Sequence, residues 1–271
     1  MTGHLPGPPS EQLAEAKPCQ GSSGGVWHHK HMGQPLETVL VDVGGTLVND
    51  ATWVRRDRYE ALMVIRLREA LGADHAWFGP LARHPLAEAD APTWEQRTLE
   101  DVTAFLAEQG VKATAAEVER ICRACAIPMS QAVELAAGAL DAIRAIRDLG
   151  LRMVVCSNTL WRNDADARRD WEELGFGHCF DGYVTSHDTG FGKPHRAMFE
   201  RALALVDGQP SRAAMIGDRL DLDVAGAQAI GMRSIWMRPL DFADPVDPMP
   251  DAEVSSWAEV PTIIERWMRR S

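Results

Sequence analysis

Up to about Glu37 the chain shows no sustained apolar periodicity, and its turn-forming clusters, GPP at Gly7 to Pro9 and GSSGG at Gly21 to Gly25, leave little to bury. Residues 1–36 therefore read as a disordered tail. At Thr38 the text changes to TVLVDV, an apolar run rich in β-branched residues, as expected of a strand covered on both faces of a parallel sheet. The run stops at Gly44-Gly45-Thr46. From Trp53 to Gly150 the apolar spacing is helical: RYEALMVIRLREAL, WEQRTLEDVTAFLAEQG, then AAEVERICRACA behind a capping box at Thr114 and Glu117, and finally ALDAIRAIRDLG closing on Gly150. No strand pattern interrupts this stretch. Strands and helices then alternate: LRMVVCSN, DARRDWEELG, DGYVTS, HRAMFERALAL, AAMIGD, VAGAQAIG and RSIWM, with DAEVSSWAEVPTIIERWMRR as a closing strand and helix. The pattern predicts an α/β protein with a doubly wound parallel sheet. Its core comprises 37–50 and 150–271, and an all-helical cap over 51–149 covers the carboxyl edge of the sheet.

Composition narrows the functional classes. A hydrophobic fraction of 45% and a charged fraction of 25% over 271 residues are ordinary for a globular enzyme. The net charge of -11, with no run of Lys or Arg, repels nucleic acid and anionic lipid, so neither is an expected partner. No apolar run approaches the roughly 20 residues that span a bilayer, and we expect a soluble, cytoplasmic protein. The odd set of cysteines, Cys19, Cys122, Cys125, Cys156 and Cys179, reads as free thiols, the lone CxxC at Cys122 and Cys125 as small core residues. His28, His29 and His31 fall in the tail and read as solvated.

The candidate chemistry lies at the carboxyl ends of the predicted strands. Asp42 ends the first, Ser157 the second, Lys193 follows the third, and Asp218 ends the fourth with Asp223 five positions on. Each alone has a structural explanation, as turn former or helix cap. Together on one sheet edge they make a site for holding or attacking a phosphoryl group.

The segments LVDVGGTL, VVCSNT, GFGKP and IGDRLDLD, in that order, resemble the four motifs of the haloacid dehalogenase-like (HAD) superfamily, and the resemblance covers the chain after residue 37. It implies a Rossmann-like core with a helical cap between the first and second motifs, and a Mg2+-dependent hydrolase acting on a small phosphorylated metabolite. By the same resemblance Asp42 is the nucleophile that forms an aspartyl-phosphate. Two anions repel at contact distance, so Asp42, the backbone carbonyl of Gly44 and Asp218 would hold Mg2+, a hard ion that prefers oxygen ligands. Ser157 and Lys193 would bind phosphoryl oxygens, while Asp223 orients Lys193 or a metal-bound water and Asn158 and Thr46 support the site.

One position departs from the pattern. Family phosphatases carry a second aspartate as general acid/base where this chain has Gly44, and loss of such a group costs about 10² to 10⁴ in rate. A good leaving group tolerates that loss. The alternatives are a catalytically weakened ligand-binding or regulatory protein, phosphotransfer, or hydrolysis of a carbon-heteroatom bond. An imine route would need a cap lysine, and Lys112 reads as a solvated loop residue. Candidate substrate contacts are Arg55, Arg56 and Trp161, with Arg58, Tyr59 and Arg162 beside them; His187 reads as a surface loop residue.

Overall fold

A computed structural model describes residues 34–48, 56–83, 93–239 and 248–269. The tail histidines, Cys19, Trp53 and Arg55 lie outside them, as does the side chain of Arg56. The first strand, β1 (Thr38–Val41), is followed by α1 (Arg56–Leu71), α2 (Phe78–Arg83), α3 (Thr98–Glu108), α4 (Ala115–Cys125), α5 (Met129–Ala132) and α6 (Ala139–Asp148). The alternating half runs β2 (Arg152–Ser157), α7 (Asp164–Glu173), β3 (Gly182–Thr185), α8 (Ser186–Thr189), α9 (Arg196–Ala204), β4 (Ala213–Gly217), α10 (Ala225–Ala229), β5 (Arg233–Met237), β6 (Ala252–Val254) and α11 (Val260–Met268).

The six strands form one parallel sheet in the order β3-β2-β1-β4-β5-β6. Successive side chains on a strand point to opposite faces, so each strand feeds two cores. Val39, Val41, Met153, Val155, Ile216 and Ile235 pack on one face with residues of α6, α7 and α11. Leu40, Val154, Cys156 and Met215 pack on the other beneath α9 and α10. Both faces being covered explains why the strands read as unbroken apolar runs.

The inserted helices bury a core of their own, with Met63, Leu67, Phe78, Leu81, Phe105, Ile121 and Cys125 in one cluster that Trp161 joins from beyond β2. Each such side chain contributes about 1.5–3 kcal/mol when fully buried. Thr114 caps α4 with its reciprocal partner Glu117, as the sequence indicates. Helix α6 packs elsewhere: Ala139, Ala142, Ile143 and Ile146 join the sheet's cluster.

Another difference concerns residues 94–97, which the apolar pattern placed in a helix. Trp94 has a left-handed backbone, φ 57°, and the segment pairs instead with the GFGKP loop. Glu95 bridges Phe191, Gly192 N–H donates to Trp94 O at 2.8 Å, and Gln96 N–H donates to Gly190 O at 3.0 Å. These bonds tie the inserted segment to the loop that carries Lys193. Among the described residues, no helix is long and apolar enough to cross a membrane.

Candidate active site

Strand β1 is flanked by β2 on one side and β4 on the other, because the chain fills one half of the sheet before crossing to the second. Such a reversal opens a crevice at the carboxyl ends of the strands. Asp42 sits there, its N–H continuing the ladder to Ile216 O at 2.9 Å. The turn behind it is closed by Thr46 and Val48 N–H donating to Val43 O at 3.2 and 3.0 Å, with Gly45 at φ 67°. Trp257 Nε1 donates to Thr46 O at 2.8 Å and pins that turn to the end of the sheet.

Lys193 is 1% exposed, and its Nζ donates to Asp42 Oδ1 and Asp223 Oδ1, each at 2.6 Å. Burial works against its charge, but the Asp223 and Asp42 carboxylates outweigh that and hold the ammonium's pKa above the ordinary lysine value. Burial likewise pushes the Asp223 carboxyl up to about 6, against the lowering influence of Lys193. The Lys193 main chain is clamped by Asn158, whose Oδ1 accepts from its N–H at 2.7 Å and whose Nδ2 donates to its carbonyl at 3.2 Å.

Asp218 follows β4, its carbonyl fixed by Trp236 Nε1 at 2.7 Å. Thr46 Oγ1 lies 3.4 Å from both Asp42 Oδ2 and Asp218 Oδ1. One oxygen from each of Asp42, Asp218 and Asp223 falls within 4.8 Å of the others. Gly217 makes this possible: a Cβ there would lie 2.2 Å from the Asp223 carboxylate. Ser157, 7% exposed, ends β2 on the other side of Asp42. A Cβ on Gly44 would meet nothing within 4 Å, so the position is open to a larger residue.

Asp42, Gly44, Ser157, Asn158, Lys193, Asp218 and Asp223 border a cavity of about 550 Å³ that is also lined by Tyr59, Met63, Leu81 and Met129 from between β1 and β2 and by Trp161. Thr46 stands behind it, its hydroxyl 3.4 Å from two of the carboxylates and able to donate to one of them at a time. His187 and Lys112 do not line the cavity: His187 pairs with Asp188 at 3.1 Å, and Lys112 is exposed ahead of α4. The CxxC cysteines are buried and free, burial raising the Cys122 thiol to about 12. Met63, Leu81 and Met129 escaped the sequence reading. The usable signal was the four-residue spacing of Tyr59 and Met63, which places both on one face of α1.

A family model for haloacid dehalogenase-like hydrolases matches residues 36–231. A ribulose-1,5-bisphosphate 5-phosphatase of Halopiger xanaduensis is 40% identical over 73 residues, 27% of this chain and 30% of that protein. A glyceraldehyde 3-phosphate phosphatase of Methanothermobacter thermautotrophicus is 36% identical over 93 residues, 33% of this chain and 38% of that protein. The matched stretches thus span well under half of either relative. Among solved structures, a 2-haloacid dehalogenase of Pseudomonas syringae pv. Tomato superposes with a TM-score of 0.61 at 22% identity, over 86% of this chain and 99% of that one. A HAD-hydrolase of Bacillus subtilis bound to magnesium gives 0.54 at 20% identity, over 85% and 99%. At these identities the likeness is one of fold.

Proposed function

The chain belongs to the haloacid dehalogenase-like hydrolase family, and from that premise we propose that it is a Mg2+-dependent phosphohydrolase of a small phosphorylated metabolite, with Asp42 as nucleophile. One observation carries the reading: three carboxylates within 4.8 Å of one another, two of them bonded to a buried ammonium, on the floor of a cavity of about 550 Å³. Relatives named as phosphatases support it, as does a magnesium-bound structure of the same fold. The four described cysteines are free and the net charge is -11, which suits a cytoplasmic enzyme with no nucleic-acid partner.

The donor set fits the metal, since Asp42 and Asp218 offer the hard oxygens that Mg2+ prefers, and Gly44, whose carbonyl would complete the set, lines the same cavity. When bound, the ion offsets the repulsion between Asp42 and the phosphoryl oxygens. Lys193 holds Asp42 Oδ1, leaving Oδ2, whose contact from Thr46 is a long 3.4 Å, to attack. A P–O bond forms to Asp42 and the bond to the leaving oxygen breaks, that oxygen taking a proton from water. Water then attacks phosphorus, releasing orthophosphate and the free carboxylate. Ser157 donates to a phosphoryl oxygen, Asp223 fixes Lys193, and the inserted helices act as the cap that excludes bulk water. Gly44 offers no acid, so good leaving groups turn over fastest.

Turnover of an aryl phosphate with and without Mg2+, beside Asp42→Asn, tests the proposal; activity indifferent to both would remove it. Gly44 also favours a second reading, a phosphate-ligand-binding protein with weak turnover. Gly44→Asp discriminates, because the space for it exists. A rise of roughly 10²-fold or more indicates a weakened scaffold, whereas a fast unmutated enzyme discards that reading.

A further inference from the structure

The apolar part of the cavity wall is made by Tyr59, Met63, Leu81, Met129, Trp161 and Trp171. The two arginines that border it are engaged elsewhere. Arg162 pairs with Asp170 and donates to Ile127 O and, at 3.3 Å, to Asp166 O. Arg219 is held by Asp221 through two bonds of 2.9 and 2.8 Å, with its side chain 54% exposed. The hydroxyls of Thr159 and Thr185 are spent as well, on Arg162 O at 2.6 Å and Asp164 Oδ1 at 2.8 Å. Burial holds the Tyr59 phenol un-ionised, its pKa raised above the ordinary value. Among the described residues the wall thus presents aromatic and thioether surface, and its cations are already paired. Against the aromatic and thioether part of that wall a second phosphate or a carboxylate would lose its hydration, which is costly.

We propose that this wall selects phosphate monoesters whose alcohol or phenol carries an apolar group, seating a hydrocarbon group of about six carbons against the tryptophans and the methionines while the phosphoryl end meets Asp42; a phenol, the better leaving group, suits the missing acid at Gly44. The inference rests on the phosphohydrolase reading of the same site and adds the class of leaving group. The volume allows it: small-molecule sites run to roughly 300–1,000 Å³, and a dry cavity of roughly 150 Å³ already holds a benzene ring. The 550 Å³ here leaves room for both ends of such an ester.

The test is a series of primary-alcohol monophosphates, which share a leaving group of nearly equal basicity, so that rate differences report the wall and not the chemistry. Ethyl, butyl and hexyl phosphate are compared at fixed Mg2+ with glycerol 3-phosphate and hexane-1,6-diyl bisphosphate. The expected kcat/KM rises about fourfold per methylene, about 250-fold over the four methylenes from ethyl to hexyl, and hexyl phosphate exceeds the bisphosphate by about tenfold or more. A flat series, or preference for the bisphosphate or the polyol ester, overturns the inference. Calorimetry with ethyl-, butyl- and hexylphosphonate, which cannot be hydrolysed, separates it from its premise. Affinity that climbs with chain length while no ester is turned over upholds the wall and removes the hydrolase. Turnover with affinity independent of length removes the wall alone, and no binding at any length removes it too. Leu81→Arg, checked for folding by circular dichroism, is expected to shift preference toward the bisphosphate; an unchanged hexyl-to-bisphosphate ratio counts against the assignment.

Discussion

Lys193→Met removes the ammonium while keeping an unbranched stem of similar length, so it isolates the charge from the packing. The Lys193 side chain is 2% exposed and its partners Asp223 and Asp42 are 1% and 10% exposed. Breaking a buried ion pair by deleting one partner costs about 3–5 kcal/mol, because the charge left behind has neither water nor a counterion. Here two carboxylates lose their counterion, and Asp223, already pushed up to about 6 by burial even with Lys193 beside it, rises further and relieves part of the penalty by taking up a proton. At about 2–4 °C per kcal/mol for a chain of this class, the expected drop in Tm is about 6–20 °C, read by circular dichroism at pH 7 without added metal. The double variant Lys193→Met/Asp223→Asn removes one of the stranded charges and is expected to recover at least 1 kcal/mol or so of the loss, a coupling typical of contacting residues. Turnover falls about 10²-fold or more in both variants, since neither carries the ammonium beside Asp42. A single variant melting within 2 °C or so of the unmutated protein, or a double variant whose losses simply add, refutes the reasoning.

Gly217→Ala forces a methyl into the Asp223 carboxylate, 2.2 Å away, and is expected to cost about 1–3 kcal/mol and most of the activity; an active variant of unmutated stability would show that Asp223 need not hold its place. Asp181 accepts from Arg147 at 2.6 Å and from Met153 N–H at 2.9 Å. Burial alone would raise its pKa, but these bonds outweigh it and hold the carboxyl below its ordinary 3.8. A depressed folded pKa stabilises above the unfolded value and is lost as pH falls through the folded one. Asp181→Asn is therefore expected to lower stability by about 1.5–3 kcal/mol at pH 7, with the gap closing as pH drops below about 4. Urea titrations at the two pH values check this, and a gap that widens in acid contradicts it.

The sheet was legible because strands covered on both faces must be apolar throughout, and TVLV, RMVVCS and AAMIG have little other use. Motif order also places Asp42, Ser157, Lys193 and Asp218 at one edge, since strand ends in a parallel sheet share an edge. The pairing of residues 94–96 with 190–192 was not legible: it is made of backbone bonds, which carry no side-chain pattern, and Trp94 takes a left-handed conformation that its residue type does not advertise. The same limit applies to Arg162. Its position after the second motif suggested a ligand contact, whereas its guanidinium is spent on Asp170 and on the Ile127 carbonyl, partners decided by how the helices dock. The packing of helix α6 on the sheet's cluster was not legible either, because its amphipathic spacing shows that one face is buried but not against which layer.

The most direct measurement of the central claim is to quench the enzyme in acid during turnover of acetyl phosphate with Mg2+ and map the phosphoryl adduct by peptide mass spectrometry. The account predicts one labile phosphoryl group on Asp42, absent from Asp42→Asn. Steady release of phosphate with the label on another residue, or undiminished in Asp42→Asn, would contradict it.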